Sequence, residues 1–71
     1  ELLLPDRPGT LAPVARILGE LGANIVSVLS TVGEEGKKVL VCRVTTDDLE
    51  SVLNALTQAG FEVLSVEESG G

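Results

Sequence analysis

The sequence predicts an α+β fold whose elements follow the order strand, helix, strand, strand, helix, strand. Apolar residues recur with the 3.6-residue period of a helix in two separate segments, and apolar strand-like segments flank each of them. The two halves of the chain align at an offset of 38 positions, which superposes the following pairs: Leu11 and Leu49, Val14 and Val52, Leu18 and Leu56, Gly22 and Gly60. A β-α-β unit used twice predicts a four-stranded antiparallel sheet with both helices on one face.

The first half supplies two strands and the first helix. We predict strands at 2–4 and 25–32, where apolar residues dominate. Thr10 is a suitable N-cap for the helix between them, because its hydroxyl can accept a hydrogen bond from a free backbone N–H. Gly22 and its counterpart Gly60 stand where helices commonly end on a glycine.

The second half repeats the pattern after a polar hairpin turn at 33–37. Strands are predicted at 38–44 and 62–67, and the second helix lies between them. Asp47 followed by Glu50 resembles a capping box at the start of that helix. With the first and third strands central, the arrangement is the ferredoxin-like one.

Length and composition indicate one small domain with a partner. The 71 residues suffice for a single domain, which we place at 1–69, with Gly70 and Gly71 as a tail. A chain of this size buries only about 60% of its extended surface and gains stability from association. It begins on Glu1 rather than Met, so we expect it to be part of a larger protein.

Charge and residue content exclude several functions. The net charge of -6 opposes binding to nucleic acid or anionic membranes, and the apolar runs are too short to span a bilayer. Without histidine there is no imidazole metal site or His-activated nucleophile. The single cysteine, Cys42, fits a small core residue in a reducing, cytoplasmic setting. We therefore expect no enzyme activity, metal or cofactor.

The central strands are apolar at consecutive positions, which predicts a surface that another subunit covers. Residues 2–4 read Leu-Leu-Leu and residues 39–42 read Val-Leu-Val-Cys. Successive side chains of a strand point to opposite faces, so both faces of the sheet centre are apolar, whereas the helices cover only one. An exposed apolar face of this kind marks an interaction site. We expect a homodimer or a higher oligomer.

The candidate binding site is the turn between the first strand and the first helix. Gly9 permits close backbone approach, and the free N–H groups at the helix start attract a carboxylate. Asp6 can accept from an ammonium group, while Asn24, in the turn at the other helix end, can donate and accept. Together these groups match the two ends of an amino acid. The same residues also suit plain turns with Thr10 as a cap, and this alternative stays open.

The motif Asp6-Arg7-Pro8-Gly9-Thr10-Leu11, followed after the helix by Gly22-Ala23-Asn24-Ile25, resembles the ACT domain over essentially the whole chain. ACT domains are regulatory modules that pair side by side through edge strands, and many bind an amino acid between subunits. The resemblance implies a ligand site that joins the first loop of one subunit to the Asn-bearing turn of the other. It assigns these residues to that site: Asp6, Arg7, Pro8, Gly9, Thr10, Leu11, Asn24 and Ile25.

We therefore expect a regulatory domain that dimerises and binds an amino acid or related metabolite, attached to a parent domain. Two alternatives remain. One is an assembly module that dimerises without a ligand, and the other is a small acylphosphatase-like enzyme, for which the sequence offers no catalytic groups.

Overall fold

The computed structural model describes residues 1–68 and contains the predicted order of elements. They are β1 (Leu2–Pro5), α1 (Leu11–Glu20), β2 (Asn24–Val32), β3 (Lys38–Thr45), α2 (Leu49–Gln58) and β4 (Ser65–Val66), with a 3₁₀ turn at Glu34–Gly36 between β2 and β3. The four strands form one antiparallel sheet in the order β2-β3-β1-β4, so β1 and β3 are central. The ferredoxin-like prediction is confirmed, while the predicted glycine tail lies outside the described residues.

The core lies between the helices and one face of the two central strands. Each helix and each central strand contributes two side chains to it, and together these are Leu2, Leu4, Val14, Leu18, Leu40, Cys42, Val52 and Leu56. The two helices bury equivalent positions, as the offset of 38 predicts. Because aromatic residues are nearly absent, the core depends on close packing of aliphatic side chains.

Both helices end in the same motif. After α1, the amide of Gly22 donates to the Gly19 carbonyl at 3.1 Å and the amide of Ala23 to the Leu18 carbonyl at 2.9 Å. The equivalent bonds after α2 run from Gly60 to Thr57 at 3.0 Å and from Phe61 to Leu56 at 2.9 Å. Gly22 and Gly60 have φ of 76° and 91°, which completes a Schellman motif at each end. The prediction of glycine helix ends is confirmed.

Thr10 occupies the predicted N-cap position of α1 but does not cap the helix with its side chain, and the predicted cap of α2 is wrong. Thr10 has helical backbone angles (φ -71°, ψ -41°) and makes no capping bond with its side chain, because its backbone already continues the turn of α1. In the second half the cap is Asp48 rather than Asp47. The Asp48 carboxylate accepts from the backbone N–H of Ser51 at 3.1 Å and from its hydroxyl at 2.6 Å. The helix therefore starts one residue later than the capping-box pattern indicates.

Strand β4 is shorter than the predicted 62–67. Its register pairs Leu2 with Val66 and Leu3 with Ser65, so a continued ladder would place Pro5 opposite Val63. Proline has no N–H to donate to that ladder, and the pairing stops. A strand pattern alone does not reveal this, because the residue that ends β4 belongs to β1.

Candidate ligand-binding site

The β1–α1 loop, residues 6–10, connects the central strand β1 to the first helix. Gly9 has φ of 80°, in the left-handed region that glycine adopts most readily. The backbone N–H of Thr10 donates to the Arg7 carbonyl at 3.1 Å and closes the turn. Arg7, Pro8 and Gly9 are exposed, so the tip of the loop is available to a ligand.

Asp6 is held towards the edge strand β2. Its backbone N–H donates to the Lys38 carbonyl at 3.0 Å, and its carboxylate Oδ2 accepts a hydrogen bond from the Ser30 hydroxyl. Leu4 and Ser30 pair with the same residue of β3, Leu40, from opposite sides, so the Asp6 side chain reaches across β3. No hydrogen bond from the described residues reaches its second oxygen, which can accept from a ligand.

Asn24 and Ile25 lie at the opposite end of β2. Asn24 is exposed and pairs with Thr45, whereas Ile25 is half-buried, pairs with Val44 and packs against the core. Six residues separate Asn24 from Ser30, which corresponds to about 20 Å along a strand. A single chain therefore does not bring Asn24 to the Asp6 carboxylate. The other predicted site residues, from Asp6 to Leu11, are contiguous.

The outer edge of β2 is long and carries no charge. Its nine residues contain no Lys, Arg, Asp, Glu or Pro, and they expose these apolar side chains: Val26, Val28, Leu29 and Val32. A register shift between Ile25 and Ser27 makes Val26 the extra residue of a β-bulge. Soluble proteins usually protect free edges with charges or proline, and this edge has neither.

The opposite edge of the sheet differs. Strand β4 has only two residues, and acidic side chains at Glu62, Glu67 and Glu68 flank it. A short edge surrounded by like charges resists pairing with a second copy. Of the two edges, β2 is therefore the one suited to pairing.

The remaining reactive groups lie away from the loop. Cys42 is fully buried, and this burial raises the pKa of its thiol above the ordinary value of 9.0. The Arg43 guanidinium contacts the Glu1 carboxylate at 3.2 Å in an exposed ion pair, which contributes little stability.

Within residues 1–68 there is no group of three His, Cys, Asp or Glu side chains arranged to hold a metal ion. No helix in the same range has the length and apolarity to cross a membrane.

Two groups near the loop were not predicted from the sequence. Ser30 positions Asp6, and the turn at 60–62 packs beside the loop on its other side. Ser30 is one of three hydroxyl residues in β2, so nothing in the pattern distinguishes it. Phe61 is the sole aromatic residue, and that rarity is the one signal that marks this turn.

The sheet and the glycine loop at the start of α1 define a ferredoxin-like domain with an exposed loop at one end of its sheet. The model of the TTHA0829-like ACT domain family matches residues 1–67, and the chain belongs to the ACT domain family. ACT domains are regulatory rather than catalytic, which supports a regulatory role for this small domain.

A curated relative carries the same domain. The chain is 33% identical over 64 residues to the UPF0735 ACT domain-containing protein ABC1543 of Shouchella clausii (strain KSM-K16). The match covers 90% of this chain but 44% of that protein, so the chain spans less than half the length of this relative.

Proposed function

We propose that this ACT domain senses a small amino acid or a related metabolite, dimerises through β2 and binds the ligand between the two copies. The observation that carries the proposal is the placement of the two halves of the predicted site. Asp6 is held beside one end of β2, and Asn24 begins the other end of the same strand. An antiparallel pair of β2 strands reverses one strand against the other, so it brings unlike ends together.

The two-fold axis fixes the register of the two β2 strands. A two-fold pair centred on Val28 sets Asn24 of one copy opposite Val32 of the other, two residues from the Ser30 that holds Asp6. The free backbone groups of β2 supply the hydrogen bonds, and its exposed valines and leucine supply the apolar contact. Such a pair forms two equivalent sites, since the interface is isologous.

The ligand chemistry follows from the groups that meet. The unused oxygen of Asp6 accepts from an ammonium group, and the Asn24 amide of the second copy donates to a carboxylate. The first amides of α1 and the exposed Arg7 add positive potential on the carboxylate side. A free amino acid carries both charges on one carbon, and it satisfies both halves of the site.

Binding across the interface makes the domain a switch. A ligand that contacts both copies favours the dimer by its differential affinity, and an attached domain can respond to that shift. Because the relative is more than twice as long as the matched region, we place this regulatory role within a longer protein.

The test combines calorimetry with a measurement of mass. Titration of the purified chain with the twenty common amino acids should give heat with one ligand or a small group, at a stoichiometry of one per chain. Sedimentation equilibrium should show a dimer whose dissociation constant falls in the presence of that ligand. A dimer of unchanged stability with no heat from any amino acid would instead establish the ligand-independent assembly module.

A further inference from the structure

A cleft opens at the end of the sheet that lies away from the β1–α1 loop. It has a volume of about 640 Å³ and lies between the start of α2, the start of β1 and the ends of β3 and β4. The apolar side chains that line it are Leu2, Val44, Leu49 and Val66. Ligand pockets usually measure about 300–1,000 Å³, and the volume of this cleft falls within that range. Because Leu2 belongs to the core, the cleft opens onto the edge of the core.

The apolar floor of the cleft lies on the helix side of the sheet. Leu2 pairs with Cys42 and with Val66, so all three side chains share the face on which the helices pack. Helix α2 begins only at Leu49 and leaves this end of the face uncovered. Val66 is 39% exposed, and Leu49 is half-buried. An apolar group bound here would therefore remove apolar surface from water.

The rim of the cleft is acidic. Glu67 and Glu68 line it, and within residues 1–68 no ion pair reaches either of them. Arg43 also lines the cleft, but Glu1 pairs with its guanidinium at 3.2 Å. The start of α2 places three more acidic residues at this end of the sheet, namely Asp47, Asp48 and Glu50. Six acidic side chains against one basic side chain attract a cation, and the apolar floor favours one with an apolar neighbour.

Charge decides between the possible occupants of this acidic cleft. Residues 69–71 of the chain are Ser-Gly-Gly and carry no basic side chain. A second copy has the same net charge of -6, and its five basic side chains are outnumbered by eleven acidic ones. Like charges oppose such a contact. The occupant with complementary charge is therefore a partner that is itself basic.

We propose that the acidic cleft docks a basic segment of a partner protein, in which an apolar side chain stands next to lysine or arginine. The apolar side chain contacts Leu49 and Val66, and the cations pair with Glu67 and Glu68 at the rim. The other carboxylates at this end of the sheet steer the basic segment towards the cleft. This surface lies beside β1 and β4 and requires no second copy, so it is independent of the proposed amino-acid site at β2.

Amide chemical shifts of the ¹⁵N-labelled chain test this proposal with three blocked peptides. The probe is Ac-Lys-Leu-Lys-Leu-Lys-NH₂, whose lysines and leucines lie on opposite sides of an extended chain. It should shift the amides of residues 44–49 and 65–68 and leave those of residues 6–10 unchanged. A peptide with glutamate in place of lysine should cause no shift at the cleft. A peptide with glycine in place of leucine should bind about tenfold more weakly, because it leaves the apolar floor exposed.

Each peptide can contradict part of the proposal. The absence of shifts at the cleft with the lysine peptide would overturn the docking site. Equal shifts with the glutamate peptide would overturn the requirement for a basic partner, and equal affinity of the glycine peptide would overturn the apolar contact.

Two double variants remove the same charge from opposite ends of the domain. Glu67→Gln combined with Glu68→Gln should weaken binding of the lysine peptide about tenfold, the combined effect of two exposed ion pairs. Glu34→Gln combined with Glu35→Gln removes two adjacent glutamates from the turn between β2 and β3 and is the matched control, which should bind like the wild type. Equal weakening in both variants would show that the overall charge of the chain attracts the peptide. Unchanged affinity in the first variant would exclude the acidic cleft as the docking site.

Discussion

Gly9 and Gly19 differ in backbone conformation, although a methyl group added to either meets no atom within 4 Å. Gly9 has φ of 80°, so Gly9→Ala should destabilise the domain by about 1–2 kcal/mol, the cost of a left-handed alanine. Gly19 lies in α1 with no positive φ, so Gly19→Ala should stabilise it by about 0.5–1 kcal/mol. Urea unfolding of both variants measures the two effects. Changes of the same sign would show that contacts, not backbone conformation, govern these positions.

Asp48 gives the domain a specific dependence on acid. The Ser51 hydroxyl, and after it the Ser51 backbone N–H, lowers the pKa of this carboxyl below its ordinary value of 3.8. A lowered folded-state pKa contributes stability that is present above the unfolded-state value and lost as the pH falls through the folded-state value. Asp48→Asn keeps an efficient cap without the titration.

The melting temperature of the wild-type chain should therefore fall relative to that of Asp48→Asn as the pH decreases from about 5 to about 2. Above pH 5 the two melting temperatures should change with pH at nearly the same rate. Asp47→Asn removes the same charge one residue before the cap and serves as the control, because its curve should follow the wild type. Parallel curves for all three proteins would mean that the cap does not govern acid stability.

The starts of α1 and α2 show why residue type alone does not predict a helix cap. Thr10 and Asp47 both have the residue type of a cap, but a cap also requires non-helical backbone angles at its own position. Thr10 has helical angles and is buried, and Asp48 takes the cap of α2. Glycine helix ends were predicted correctly because the left-handed conformation they need is nearly specific to glycine.

At the scale of elements, β2 and β4 offer a matched comparison of the two sheet edges. Val28 and Val66 are 37% and 39% exposed, and both pair with a buried residue, Cys42 and Leu2 respectively. Val28→Lys should convert a dimer into a monomer, because two lysines would face each other across a pair centred on Val28. Val66→Lys places the same charge on the other edge and should stay dimeric.

Light scattering coupled to size-exclusion chromatography distinguishes these outcomes, and circular dichroism checks that each variant is folded. Dissociation by Val66→Lys alone would move the interface to β4. If both variants stayed dimeric, the interface would lie at neither edge, and the open face of the sheet, where Leu3 and Val41 pair with each other, would be the surface to test next.

Element order, the positions of the two helices and the central pair of strands follow from periodicity and the internal repeat, because those signals are local. The length of β4 does not, since Pro5 of a neighbouring strand limits it. The contiguous part of the candidate site, residues 6–11, is likewise a local sequence motif. The Ser30 bond to Asp6 and the packing of the turn at 60–62 beside the loop depend on which segments the fold brings together, which no local pattern contains.

At the scale of the whole molecule, the proposed interface site is composed of residues from two copies, and this composition can be tested by mixing defective chains. Asp6→Asn removes the ammonium acceptor and Asn24→Ala removes the amide, so a homodimer of either variant has no intact site. In a mixed dimer, one site combines Asp6 of the second variant with Asn24 of the first, and the other site has both defects. Refolding the two variants together should therefore restore binding at wild-type affinity.

The stoichiometry of that mixture gives the sharpest result. Random association makes half of the dimers mixed, and each has one intact site, so calorimetry should find about one ligand per four chains, compared with one per chain in the wild type. Each variant alone should bind at least tenfold more weakly. A site made within one chain cannot be restored by mixing, because every chain in the mixture carries a defect. Failure of rescue between two folded, dimeric variants would therefore exclude the shared site.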